Sequence, residues 1–239
     1  EIGVRLVGSE MCIRDRVREL IVNGVKEIVQ NYDVDGIHMD DYFYPTFNSS
    51  NVNSAFDAKE YKASTMGKHK NGIVAFRRQQ VNALVKAIHS AVKATKPNVT
   101  FGISPAGNID NLTSKYSYYV DINKWLNSHD YVDYICPQIY WGFKHPYAKF
   151  DRVTKRWMKA AKSKKVKVYI GIAVYRAGHN TGASSSERRE WRSDANVLKK
   201  QVQYARKKGC DGFAFFDYQD LKSKTSARAV KNLKKVLKR

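Results

Sequence analysis

The sequence predicts an α/β protein built as a (β/α)8 TIM barrel, incomplete, with about five βα units present. Three observations carry this expectation. Short runs of β-branched and aromatic residues alternate with stretches of helical periodicity roughly 10–15 residues long, which implies successive βα units and a parallel sheet. Each short run ends in polar or aromatic residues, and the C-terminal ends of strands are where a barrel carries its site. The turn after the first run reads Asp-Asp-Tyr-Phe-Tyr-Pro (Asp40–Pro45), whereas a nucleotide-binding doubly wound sheet needs a glycine-rich turn there.

Taken in order, Val17, Leu20, Ile21, Val25, Ile28 and Val29 recur at helical spacing and predict an amphipathic helix over 17–30. Val34 to Met39 reads as a buried strand ending in Asp40-Asp41-Tyr42, followed by a long polar loop to about Gly72. A helix with the stripe Val74, Val81, Leu84, Val85, Ile88 and Val92 follows, and Pro97 ends it. Val99–Ser104 predicts a second strand, with a short helix after it around 122–127. Tyr131–Tyr140 predicts a third strand and 147–163 its helix. Val166–Val174 is the fourth, with a Gly- and Ser-containing loop over 175–192 and a helix over 194–208. Gly212–Phe216 is the fifth strand, and a closing helix runs to the C-terminus.

The first sixteen residues stand apart. Glu1–Arg16 has neither strand alternation nor a helical stripe, and its core, VGSEMCIRDR, resembles the translated read-through of a sequencing adapter. The expected organisation is therefore a non-native segment over 1–16 and a barrel domain over 17–239, with any leader, anchor or earlier strands lying upstream of Val17.

At 239 residues and 43% apolar composition the chain suits one packed domain, despite a formal charge of +21. Much of the excess lies where helices would present a solvent face: Lys159, Lys162, Lys164 and Lys165; Lys199, Lys200, Arg206, Lys207 and Lys208; and the tail from Lys222 to Arg239. Such runs are solvated faces or attract a polyanion: an anionic cell wall, a membrane surface or nucleic acid. No RNP-like aromatic strand or zinc-ligand spacing is present, so nucleic acid is the least supported partner. Cys12, Cys136 and Cys210 are too scattered for a disulfide framework or a metal site, and no run of about 18 apolar residues could span a membrane.

Along Gly36–Asp40 the period of two puts His38 and Asp40 on one face and Ile37 and Met39 on the other. The apolar pair is expected to face the helices, His38 and Asp40 the barrel interior, and Asp41 the lip. Adjacent carboxylates raise one another's proton affinity, which is how an acid or a nucleophile is tuned. Their structural alternative is a loop cap and a salt bridge, for which Arg77 and Arg78 are the candidate partners; both also count as candidate substrate-binding residues. Tyr42, Tyr44, Tyr140, Trp141, Tyr175 and Tyr218 follow strand ends, where aromatic faces could stack on sugar rings, and Asn108, Gln138 and Asp217 are polar residues at the same kind of position. His38 has no second ligand at useful spacing, so no metal or other cofactor is expected. No nucleophile elbow or Cys/His pairing signals acyl transfer.

The run Tyr32–Pro45 closely resembles the signature of the bacterial glycosyl hydrolase-like family ten. Phe76–Asn82, Phe101–Pro105 and Tyr134–Trp141 match further motifs of that family in order, over about Val17 to Leu221. The resemblance implies a barrel in which the Asp-Asp-Tyr strand is the fourth, so that strands four to eight are present, with two open sheet edges, poor solubility or dimerisation. It also implies glycan cleavage, with bacterial cell-wall glycan (peptidoglycan strands) as substrate class and an extracellular or cell-envelope location. Phe76 departs from the family's Trp, and Asp217 from its common Ser. Gly36–Asp40 is also similar to the nucleophile strand of amylase-type barrels, which implies that Asp40 is nucleophile or transition-state stabiliser. That leaves Asp41, Glu60, Glu190 or Asp217 as acid; with an N-acetylated sugar, the substrate's acetamide could attack instead, Asp40 orienting it. A non-catalytic carbohydrate-binding protein on the same fold is the alternative.

Overall fold

A computed structural model of the chain describes residues 2–68, 72–163 and 165–237, with side chains from Arg16 onward except Lys68. Of the positions singled out above, Glu1, Lys164, Lys238 and Arg239 lie outside the described residues, as does the side chain of Cys12. Strands and helices alternate: α1 (Ile2–Asn31), β1 (Gly36–Asp40), α2 (Ala58–Ala63), α3 (Gly72–Thr95), β2 (Thr100–Ser104), α4 (Ile109–Leu112) and α5 (Ile122–Leu126) come first. Then come β3 (Tyr134–Ile135), α6 (Phe150–Ala160), β4 (Lys167–Ala173), α7 (Ser185–Ser193), α8 (Val197–Lys207), β5 (Gly212–Phe216), α9 (Tyr218–Lys222) and α10 (Ala227–Leu237). The five strands are parallel and ordered β1-β2-β3-β4-β5, each hydrogen-bonded to its neighbour in sequence. A doubly wound sheet reverses its order at a switch point; this one does not.

Of the departures from the sequence reading, four have a local reason. α1 begins at Ile2 rather than Val17, because nothing in 2–31 is a proline and a helix once nucleated propagates at little cost. The third strand shrinks from the expected 131–140 to Tyr134–Ile135: Pro137 has no N–H to give a ladder, and pairing resumes only as isolated bridges from Gln138 to Ala106 and Gly171. The expected loop over 175–192 contains α7, whose N-cap Ser184 accepts from the Glu187 N–H. The closing helix is two helices, separated by Ser223–Ser226.

The chain divides into two compact units, Glu1–Gly102 with Asp110–Asp133, and Ile103–Ile109 with Tyr134–Arg239. In the first, α1 lies along α3, and Val29, Val81, Val85, Ile88 and Val92 are buried together with Phe101, Trp125 and Leu126. In the second, α8 meets α6 and α10, and Ile170 and Ile172 of β4 are buried with Trp157, Val202 and Leu233. Burying each side chain of this size contributes about 1.5–3 kcal/mol. β2 and β4 are largely buried, whereas β1 and β5, each with one strand neighbour, show exposed residues. Among the described residues no helix is long and apolar enough to cross a membrane.

Candidate active site

In the first unit, β1 delivers the tandem carboxylates. His38 and Asp40 are exposed while Ile37 and Met39 are half-buried, as a period of two requires. Asp41, the residue just past the strand end, is the enclosed member, 2% exposed, with Asp40 the open one. The strand stops at Asp40, and the Phe43 N–H donates to the Asp41 carbonyl at 2.8 Å, so Asp41 belongs to a turn rather than to the pleat. Tyr118 lies within electrostatic reach: burial raises its phenol pKa, and the charges of Asp41 and Tyr42 raise it further, which keeps it a donor. Tyr118 and Tyr119 have φ of 57° and 55°, a left-handed pair that costs about 1–2 kcal/mol per residue without glycine.

What holds Tyr119 of that pair is Arg77. Its Nε donates to Asp57 Oδ2 at 2.7 Å and its Nη2 to Asp57 Oδ1 at 2.6 Å and the Val52 carbonyl at 2.9 Å. Its Nη1 donates to the Tyr119 hydroxyl at 2.7 Å, and that hydroxyl donates to the Lys115 carbonyl at 2.7 Å. The guanidinium also lies 4.3 Å from the Phe47 ring centroid. Burial works against its charge, but Asp57 and Tyr119 outweigh burial and hold its pKa above the ordinary value. Arg77 is thus neither a salt-bridge partner of Asp40 and Asp41 nor a substrate ligand: it is 0% exposed and serves the loop after β1. Arg78 likewise is used on the fold, donating to the Thr113 carbonyl.

This loop carries a stack of rings, with Tyr44 parallel to Phe56 at 5.8 Å and edge-on to Tyr119 at 5.2 Å. Tyr42, Phe43, Tyr44 and Phe56 line a cavity of about 520 Å³ together with Asp40 and Glu60. Glu60 Oε2 is buried there without a hydrogen-bond partner among the described residues. Of the alternative acids, Glu60 is therefore the one that shares a cavity with Asp40.

In the second unit, Gln138, Tyr140, Trp141, Tyr175, Asp217 and Tyr218 each lie just beyond the C-terminal end of their strand. Tyr140, Tyr175 and Phe216 form a ring cluster: Tyr140 stacks on Phe216 at 5.8 Å, and Tyr175 meets both edge-on at 6.0 and 6.1 Å. Gln138 Nε2 donates to the Ser104 carbonyl at 3.1 Å. Gly107 lets the chain after β2 approach the chain after β3, since a Cβ there would lie 2.4 Å from the Gln138 carbonyl and 2.7 Å from the Trp141 ring. Asn108 is the half-buried residue that follows it. Tyr218 is exposed, and the Lys222 ammonium sits 4.2 Å over its ring.

Two candidate acids in this unit are occupied. Asp217 caps α9, its side chain accepting from the Asp220 N–H at 3.1 Å. Glu190 accepts from the backbone N–H groups of Phe143 and Lys144, although burial still raises its pKa. Sequence reasoning missed Glu187, Phe56, Tyr118 and Phe216. Ser184-x-x-Glu187 is a capping-box pattern that signals a helix start, and Phe216 ends a strand already recognised. Nothing in the sequence marks Tyr118.

The class this arrangement defines is an α/β protein of consecutively ordered parallel strands, with tandem carboxylates at the end of its first strand and aromatic side chains following β3, β4 and β5. Within that class, the chain belongs to the family described as Glycosyl hydrolase-like 10, whose model matches residues 11–193. It is 36% identical over 194 residues to Glycosyl hydrolase YngK of Bacillus subtilis (strain 168), covering 73% of this chain and 36% of that protein. It is 32% identical over 200 residues to Glycosyl hydrolase DigH of Escherichia coli (strain K12), covering 78% and 43%. The chain thus spans less than half the length of these relatives. Among solved structures it is similar in fold to the PgaB (BpsB) glycoside hydrolase domain from Bordetella bronchiseptica, with a TM-score of 0.50 at 11% identity, covering 90% of this chain and 61% of that one.

Proposed function

We propose that the chain is part of a barrel glycoside hydrolase that cleaves a glycan of the bacterial cell envelope, with peptidoglycan strands as the substrate class, and that β1 to β5 are barrel strands four to eight. The observation that carries the reading is the division of labour between the tandem aspartates. Asp40 is open to solvent and lines the ring-walled cavity, so it suits the nucleophile, or the group that orients an N-acetylated sugar's own acetamide. Asp41, its enclosed neighbour just past the strand end, is assigned the acid's role. Glu60 is the competing acid because it shares Asp40's cavity. Membership of a glycosyl hydrolase-like family supports hydrolysis over bare binding. The envelope location and the anionic polymers there fit the charge of +21.

The reading is tested by incubating the chain with purified peptidoglycan strands stripped of their peptides and measuring new reducing ends. Release of fragments is expected. Tight binding of the strands without any release would replace hydrolysis by the carbohydrate-binding alternative.

A further inference from the structure

The basic excess is unevenly distributed. From Leu221 to Arg239 the sequence holds eight Lys and Arg and no Asp or Glu. Elsewhere three lysines pair with carboxylates: Lys86 with Asp130, Lys93 with Asp133 and Lys200 with Asp194. In α10 the apolar side, Ala229, Val230 and Leu233, is buried, and Asn232 donates to the Ala195 carbonyl at 3.0 Å. What faces outward is lysine. Lys231, Lys234 and Lys235 stand at i, i+3 and i+4, a spacing that shares one face, and with Lys222 at the end of α9 they line a groove of about 440 Å³. Leu221, Ala227 and Val230 also line it, but no carboxylate does, and none of the four lysines has an ion-pair partner among the described residues.

We infer that this groove between α9 and α10 binds a polyanion with phosphodiester-linked repeats, a polyol phosphate chain of the cell envelope. The choice of an envelope polymer rests on the reading of the chain as an envelope-glycan hydrolase; the site itself rests on the lysines. Ammonium groups pair with phosphate as point charges. Their row extends about 6 Å along α10 and is open to solvent, which suits a passing chain of repeated charges better than one enclosed ion. A membrane surface fits less well, because insertion needs an apolar helix face and the large apolar side chains of α10 other than Leu237 are buried or half-buried. Nucleic acid fits less well too, because no aromatic ring lines the groove for a base to stack on.

The test measures binding of the whole chain to soluble poly(glycerol phosphate) across a salt series, beside single-stranded DNA of equal charge and anionic phospholipid vesicles. The triple variant Lys231→Gln/Lys234→Gln/Lys235→Gln is expected to bind about tenfold more weakly, with the log–log salt slope reduced by about 0.7 per lysine removed. The corresponding Lys→Arg triple keeps the parental slope. A control triple with the same charge change on and just after α6, Lys155→Gln/Lys159→Gln/Lys162→Gln, is expected to leave the slope unaltered. Equal weakening by the groove and control triples would reduce the site to net charge and overturn it. Tighter binding of DNA or vesicles than of the polyol phosphate would overturn the assigned ligand. Because no hydrolysis is measured, a chain that binds here yet cleaves nothing refutes the hydrolase reading and leaves the groove standing.

Discussion

The loop after β1 and the loop after β3 are both fixed by a buried charge, but by opposite chemistry. Arg77 meets the opposite charge of Asp57, and its remaining hydrogen bonds go to Tyr119 and the Val52 carbonyl. Glu187, also 0% exposed, meets no cation among the described residues: its oxygens accept from the Gly142 N–H at 3.0 Å, the Ala183 N–H at 2.7 Å and the Trp191 indole at 3.3 Å. The first anchor depends on a partner that is itself buried and charged, so losing either member strands the other. The second depends on neutral dipoles that survive its loss as unsatisfied donors. The ring wall beside Asp40 should therefore be the more fragile of the two regions.

The largest effect is expected at Arg77. Arg77→Met leaves the Asp57 carboxylate buried without its cation, and should cost about 3–5 kcal/mol by urea unfolding. Adding Asp57→Leu should recover much of that loss, and an equal loss in the double variant would break the charge-pair account. Glu187→Ala should cost less, about 1–3 kcal/mol, for the orphaned Gly142 and Ala183 donors. Gly142→Ala sharpens the same point, because a Cβ there would lie 2.2 Å from Glu190 Oε2. It should loosen the loop after β3 while leaving the Arg77 clamp unaffected, as hydrogen exchange of the two loops would report.

A third anchor combines both chemistries and gives the smallest effect. Asp133 accepts from the Phe101 N–H at 2.7 Å and pairs with Lys93 at 2.7 Å. Burial raises its pKa, but Lys93, the Phe101 N–H and His89 together hold it below the ordinary carboxylate value. A depressed folded-state pKa stabilises the fold above the unfolded value of about 3.9, and that contribution disappears as pH falls through the folded one. Asp133→Asn should lower the urea midpoint at neutral pH and flatten its fall between about pH 4 and pH 2. An unchanged acid limb in that variant would show that Asp133 is not the group being titrated.

The same contrast explains what could be read from the sequence. Short β-branched and aromatic runs located all five strands, and a period of 3.6 located the helix α3, because burial demands apolar residues at those positions. Asp40 and Asp41 were recognisable because two acids end an apolar run. Their relative exposure was not, since it depends on where the strand gives way to a turn. Arg77 read as a ligand or salt-bridge candidate because an arginine at a helix start looks the same whether its partner is a glycan or a buried Asp57 twenty residues upstream. Tyr118 and Tyr119 carry no local signal, as their left-handed backbone is imposed by tertiary contacts rather than by residue type. Trp157, whose indole donates to the Gly107 carbonyl at 2.7 Å, shows the same limit for core residues that support the strand-end loops.

Under the proposed function the tandem aspartates Asp40 and Asp41 perform the chemistry rather than merely cap the strand. The most direct measurement is the turnover of peptide-free peptidoglycan strands by the parent chain, Asp40→Asn and Asp41→Asn, with unfolding curves confirming that both variants remain folded. Losing a positioned acid or base should lower kcat by about 10²–10⁴-fold with little change in KM. Cleavage at the parental rate by both folded variants would contradict the account.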